Sequence, residues 1–340
     1  MTFAFATIRN AVLTAAAAIT LASCATVSAQ EAPTVTAAAP TAQWITLGTS
    51  GGPAVQVHRS QIANALVVGD AVYLFDVGNG VQRQMAMAGL DENHVRAVFL
   101  SHHHLDHNAD LGPVLVTHWT FGQGVLPVFG PEGTSHLVLG LADANAPTLL
   151  AGFPTGGPAK PPLRDMVSAA DLPFALQEPV LVYEDENVRV SAIGVDHYQL
   201  PPSVPLDHMP DAVAYRVEAG GRTIVFTGDS GPSPRLARFM QGADLLVTEV
   251  VEAEAIAALL TRTAAGAPDA VRQSIIAGMR RNHLEPAEIG RMAAAAGVGA
   301  VVLTHFVPSP EDAADREAYV RDIRSVYAGP VTMANDLDRF

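Results

Sequence analysis

Residues 99–110 read FLSHHHLDHNAD, with His102, His103, His104 and His107 beside Asp106, directly behind an apolar run. The chain has only 12 histidines in 340 residues, so this density is far above an even spread. Imidazoles and carboxylates in this pattern suit metal coordination. In an extended chain side chains alternate with period two, so His102 and His104 face the same way and can share one ion, while His103 faces the other way as a non-ligand. Where the chain turns into a loop or helix start, Asp106 and His107 are redirected and can serve a second ion. The ordinary alternative is a polar surface turn with solvated histidines, and the strand in front of the motif argues against it.

Cys24 is the only cysteine, so beyond the N-terminal segment every ligand must be nitrogen or oxygen. Such a set suits Zn2+, with Mn2+ or Fe2+ next, because geometry and supply decide between metals at N/O sites. Two ions about 3.5–4 Å apart can activate a shared hydroxide and stabilise charge on the oxygen under attack. That predicts hydrolysis and leaves phosphorus, sulfur or a carbonyl carbon open as the electrophile.

The elements that must hold these residues are short apolar runs bounded by Gly, Pro or Asp: WITLG, NALVVG, AVYLFD and RAVFLS, then PVLVYE, VRVSAIGV, AVAYRVE, RTIVFTGD, DLLVTE and AVVLTH. They read as strands. Helical patterns cover 79–89, about 134–145, 252–281 with a break near Gly266 and Pro268, 285–296 and 310–327. Strand-dense stretches occur twice, each followed by helix, which predicts an α/β fold of two packed sheets with helices outside, a four-layer αββα sandwich. Residues 151–173 are rich in Gly and Pro and predict a long surface loop, either a lid or a variable excursion.

The N-terminus has one arginine, an apolar run from Ala11 to Ser23 and then small residues, the grammar of a secretory signal over 1–29. The run is short of the roughly 20 residues that span a bilayer. Two outcomes compete: cleavage after Val27-Ser28-Ala29 to release a soluble periplasmic protein, or lipidation of Cys24 in Leu21-Ala22-Ser23-Cys24, which resembles a bacterial lipobox. Residues 30–43 read as a flexible linker, and the catalytic domain is expected over 44–340.

The H-x-H-x-D-H motif, with ITLGTSGGP and LFDVGNG upstream and VFTGDS and VVLTHF downstream, resembles the metallo-β-lactamase superfamily, and most its ribonuclease Z and arylsulfatase-like branch. The resemblance runs from about Trp44 to Pro308. It implies His102, His104 and a third histidine for the first metal; His197 fits that place, with His208 as its rival. It implies Asp229 as the aspartate bridging both metals, and His305 with Asp106 and His107 for the second. Asp76 matches an aspartate that orients a metal-bound histidine. His283 resembles the ribonuclease Z histidine proposed to protonate the leaving group; a helix-capping surface residue is the alternative. Glu249 is open between a role behind the ligands and an ordinary buried pair, and His58, His94, His118 and His136 match no ligand position.

The net charge is −14, from 34 acidic against 20 basic residues, with Lys160 the one lysine. A nucleic-acid footprint needs clustered cations, so this balance predicts no nucleic-acid partner. His197 and Asp229 lie only 32 residues apart, which leaves no room there for the long RNA-gripping arm that many ribonuclease Z proteins insert between these positions. The expectation is therefore an exported dinuclear hydrolase of a small-molecule ester, such as an aryl sulfate, phosphodiester or lactone, meeting the membrane only through lipidation of Cys24, with self-association open. A persulfide dioxygenase with a single iron is the alternative on the same scaffold, and transfer-RNA 3′ processing or β-lactam hydrolysis follows behind.

Overall fold

Strands buried on both faces need apolar residues at every position rather than at alternate ones, and the runs at 71–77, 245–251 and 300–307 have that character. The computed structural model describes residues 41–152, 160–199, 210–310 and 313–340. The signal segment, Cys24, most of the linker and His208 lie outside the described residues. In chain order the first half contains β1 (Ala42–Gly48), β2 (Ala63–Val68), β3 (Ala71–Val77), α1 (Val81–Ala88), β4 (Val95–Phe99), α2 (Leu105–Asn108), α3 (Leu111–Phe121), β5 (Leu126–Gly130), α4 (Thr134–Ala144), α5 (Ala146–Ala151) and β6 (Val167–Asp171). The second contains β7 (Val180–Glu184), β8 (Val188–Gly194), β9 (Val213–Ala219), β10 (Arg222–Phe226), α6 (Pro234–Phe239), β11 (Leu245–Val251), α7 (Ala253–Thr263), α8 (Asp269–Asn282), α9 (Pro286–Ala296), β12 (Ala300–Val307), α10 (Ala313–Arg324), β13 (Val331–Met333) and β14 (Asp338–Arg339).

Two seven-stranded sheets result, ordered β14-β1-β2-β3-β4-β5-β6 and β13-β12-β11-β10-β9-β8-β7. In each an antiparallel meander passes into parallel strands, from β3 to β6 and from β10 to β13. Between the sheets lies an aromatic core in which Phe75 of β3 meets Phe99 at 4.8 Å, Trp44 at 5.0 Å, Tyr215 at 5.8 Å and Phe226 at 6.3 Å between ring centroids. The opposite face of the first sheet packs Leu74 and Val98 on Met85, Leu115 and Val138 of the helices. That of the second packs Val225 and Val301 on Leu236, Ile289 and Ile323. The αββα architecture expected from the sequence is the one observed.

Some elements depart from the sequence reading. The expected loop over 151–173 contains β6, which pairs in parallel with β5 at the sheet edge. Edge strands bury one side only, so VSAAD carries little apolar signal. Residues 105–121 form α2 and α3 despite several β-branched residues; Pro113 in α3 sits in the first turn, where its missing N–H is not needed. The break anticipated near Gly266 and Pro268 separates α7 from α8.

Because both sheets meet on Phe75, truncating it opens a cavity that neither sheet can close alone. Phe75→Ala is expected to lower unfolding free energy by about 3–5 kcal/mol, read as a lower urea midpoint with an unchanged slope.

Candidate metal centre

The parallel strands of both sheets end at one edge of the sandwich, and the sequence places its polar residues there: Asp76 on β3, Ser101 and His102 after β4, Asp229 after β10, Glu249 on β11 and His305 on β12. Two local distortions aim them. Asp76 and His305 have φ of 56° and 45°, left-handed values that cost a non-glycine residue about 1–3 kcal/mol and persist where surroundings enforce them. The β11–β12 register slips between Thr248 and Val250, which face Leu303 and Phe306; this bulge turns Glu249 and His305 out of the ladder. Gly51 makes room: a Cβ there would stand 2.6 Å from the His305 ring.

Three groups of ligand atoms converge, His102, His104, His197 and Asp229 in the first, Asp106, His107 and His305 in the second and Asp229, Glu249 and His283 in the third, each within 4.8 Å internally. In the first, His104 Nδ1 lies 3.0 Å from His102 Nε2 and 3.2 Å from His197 Nε2, and Asp229 Oδ2 is 3.8 and 4.0 Å from those Nε2 atoms. In the second, His107 Nε2 and His305 Nε2 are 3.2 Å apart, and His305 Nε2 is 3.2 Å from Asp106 Oδ2. Asp229 joins the groups, with Oδ1 3.5 Å from His107 and Oδ2 3.4 Å from His305. Such separations match the edges of a coordination shell with bonds of about 2.0–2.2 Å. Asp229 Oδ1 is buried without a hydrogen-bond partner, as a carboxylate oxygen reserved for a cation is.

The tautomers are set from behind. Asp76 accepts the Ser101 N–H, the Ser101 hydroxyl and His107 Nδ1–H, all at 2.7 Å. With its proton committed to Asp76, Ser101 Oγ accepts His102 Nδ1–H at 3.0 Å. His197 Nδ1–H donates to the Asn282 carbonyl at 2.9 Å. In each ring the Nε2 lone pair is thereby left facing the cluster. Burial pushes His197 down to about 4, and burial with the neighbouring His107 holds His102 well below its ordinary value, so both rings are neutral as ligands must be. Burial alone would raise Asp229, but His305 and His107, which Asp229 itself pushes up against their own burial, reverse this and keep it ionised; a bound cation would take over that role as their Nε2 protons leave. Gly52 N–H fixes Asp106 by donating to Oδ2 at 2.8 Å.

Every residue assigned to the site from the sequence thus lies at this edge. Among the two histidines weighed for the first group, His197 is in the cluster. His103 turns toward Pro131 and Thr134. His283 follows α8 and its imidazole does not cap α9; Nδ1 lies 2.5 Å from Glu249 Oε2. Burial works against its charge, yet Glu249 pushes it up to about 9. The other Glu249 oxygen accepts the Ser230 N–H at 2.6 Å, tying the Asp229 loop to His283. Ser101 and Tyr198 escaped the sequence reading. Ser101 immediately precedes the motif, which was its available signal; Tyr198, whose ring centroid is 4.7 Å from His197 and 5.2 Å from His104, had only its adjacency to His197.

This site on two packed sheets defines a class. The beta-lactamase superfamily domain model matches residues 72–306; the chain belongs to the metallo-β-lactamase superfamily and is a metal-dependent hydrolase. Within that class it is similar to proteins named ribonuclease Z: 30% identical over 302 residues to that of Mycolicibacterium paratuberculosis (strain ATCC BAA-968 / K-10), covering 87% of this chain and 96% of the relative. It is 30% identical over 307 residues to that of Mycobacterium sp. (strain KMS), covering 87% and 94%. The fold is shared with human tRNase Z, short form, at a TM-score of 0.60 and 20% identity, covering 88% of this chain and 98% of that one.

These relatives overturn the expectation of a small-ester hydrolase with no nucleic-acid partner, and they give no support to the persulfide dioxygenase alternative. The net charge of −14 sums the whole chain, whereas a nucleic-acid strand meets only the cations within its own footprint. Arg235 lies half-buried next to Asp196, and Arg281 is exposed two residues before His283. The spacing argument excluded an arm at one place only; between His197 and Asp229 the described residues form β9 and β10.

Asp76→Asn should weaken the metal held with His107 by about 10–100-fold and the other one less, because Asp76 bonds His107 directly and reaches His102 only through Ser101. Metal titration against a competing chelator reads the two affinities separately.

Proposed function

We propose that this chain is a ribonuclease Z-like phosphodiesterase that hydrolyses RNA. His102, His104, His197 and Asp229 would hold one ion, and Asp106, His107, His305 and Asp229 the other. The all-N/O donor set suits zinc. Bound there, the ions supply Lewis-acid activation of water and neutralise charge on the phosphoryl group.

The observation that carries the reading is the Glu249–His283 pair beside Asp229. Hydrolysis forms a bond from water oxygen to phosphorus and breaks the bond to a ribose oxygen, whose alkoxide is a poor leaving group and needs a proton. His283 Nδ1 is 2.5 Å from Glu249 and 3.8 Å from Asp229. Two buried carboxylates favour the imidazolium, so Nε2 carries a proton available to the departing oxygen. Asp229 holds no proton of its own and takes no part in that transfer.

The address of the protein is a separate proposal. The apolar run Ala11–Ser23 followed by small residues supports export, and mass spectrometry of the N-terminus decides it. A free Gln30 means a soluble periplasmic form, diacylglyceryl-Cys24 a lipoprotein, and an intact Met1 on cytoplasmic protein rules out both.

Metal-loaded protein should cleave a structured RNA bearing a 3′ extension, and a chelator should abolish the cleavage; intact RNA at micromolar enzyme would contradict the assignment. His283→Ala should keep its metals and lose about 10²–10⁴-fold on RNA, with far less loss on bis(p-nitrophenyl) phosphate, whose leaving group needs no proton. Equal losses would make His283 a substrate-positioning group instead. Activity on RNA should fall as pH rises through the His283 pKa, which burial lowers but Glu249 pushes up to about 9. Glu249→Gln removes the cause of the upward shift, so this alkaline limb should move to lower pH.

A further inference from the structure

Tyr198 is a wall shared by two spaces. One side of the residue adjoins His197 and His104; it also lines a cleft of about 210 Å³ with Phe174, Gln177, Asp211 and Arg235. Pockets for drug-sized ligands begin near 300 Å³, so this one fits a single planar ring system. Phe174 is 50% exposed, an aromatic side chain at the edge of a polar cleft. Among the described residues Arg235 is held by Asp196, at 2.5 Å from Nη2, and a guanidinium has further N–H groups to donate. The cleft floor is rigid: Asp211 accepts the Ala175 N–H at 2.7 Å, and Gly194 N–H donates to Leu176 O at 3.1 Å.

A fixed cation with two aromatic rings, one wall away from the histidine cluster, has the composition of a nucleotide subsite, since unpaired bases are bound by stacking on aromatic side chains and phosphates by arginine. We infer that this cleft holds the nucleotide adjoining the scissile phosphodiester, its base against Phe174 and Tyr198 and its phosphate at Arg235. The subsite rests on the RNA reading and adds to it a preference that the metal centre cannot supply, because ions bind phosphate without regard to the base.

The test is a binding titration of the metal-loaded full chain with adenosine 5′-monophosphate and with ribose 5-phosphate. Adenosine 5′-monophosphate should bind at least about tenfold more tightly. Phe174→Ala should remove most of that preference and leave ribose 5-phosphate unchanged, Phe174→Trp should retain it, and Arg235→Gln should weaken both ligands. Equal affinities for the two ligands, or a preference that Phe174→Ala leaves intact, would overturn the subsite. The titration needs no turnover. Base-selective binding by a protein that leaves RNA intact keeps the subsite and sinks the nuclease reading, whereas RNA cleavage with base-blind binding sinks the subsite alone.

Discussion

The carboxylate of Asp229 is buried among imidazoles contributed by both sheets, and the geometry of the centre follows from that placement. An ionised carboxylate taken out of water is costly unless it is paired. Here His305 and His107 face it from one side and His102 and His197 from the other, and no single element could supply all four. The cluster requires two sheets packed face to face with their parallel strands ending at the same edge. It also requires Gly228, with φ of 55° and an added Cβ only 2.5 Å from Ser101 Cβ, to carry the Asp229 loop close to the H-x-H-x-D-H motif.

Around that carboxylate the protein separates two kinds of proton. Those on the Nδ1 atoms of His102, His107 and His197 are sunk into Ser101, Asp76 and the Asn282 carbonyl, which keeps the opposite nitrogens free to bind cations. On His283 the Nδ1 proton is anchored on Glu249, and the charge that this carboxylate favours would put a second, transferable proton on Nε2. Glu249 also anchors Ser230, so the acid and the shared aspartate cannot move independently. The strain at Asp76 and His305 and the bulge in β12 are the conformational cost of fitting both systems into one strand edge.

Much of this was legible in the sequence because the chemistry is concentrated at strand ends, where an apolar run stops and a polar residue follows. His102, Asp229 and His305 announce themselves in that way, and Asp76 does so within LFDVG. His197 was the better fit of the two candidate histidines because it directly follows the apolar run VSAIGV, whereas His208 follows PPSVPLD; spacing alone would not have separated two positions eleven residues apart. The edge strands β6, β13 and β14 were not legible, since a strand with one buried side has little apolar pattern to show. Helix α3 was hidden by its β-branched residues, of which Val114 packs in the same cluster as Leu74 and Val98, and that packing outweighs propensity. The substrate was misjudged because a chain-wide charge was used where local charge decides.

The account stands on Asp229 being common to two ion sites. Elemental analysis of the purified protein and of Asp229→Ala, each after equilibration with zinc and removal of the excess, tests this directly. About two zinc ions per wild-type chain, and substantially less than one in the variant, is the expected result. One ion in the wild type, or a variant that keeps one site at full occupancy, would contradict a shared carboxylate and with it the two-ion centre.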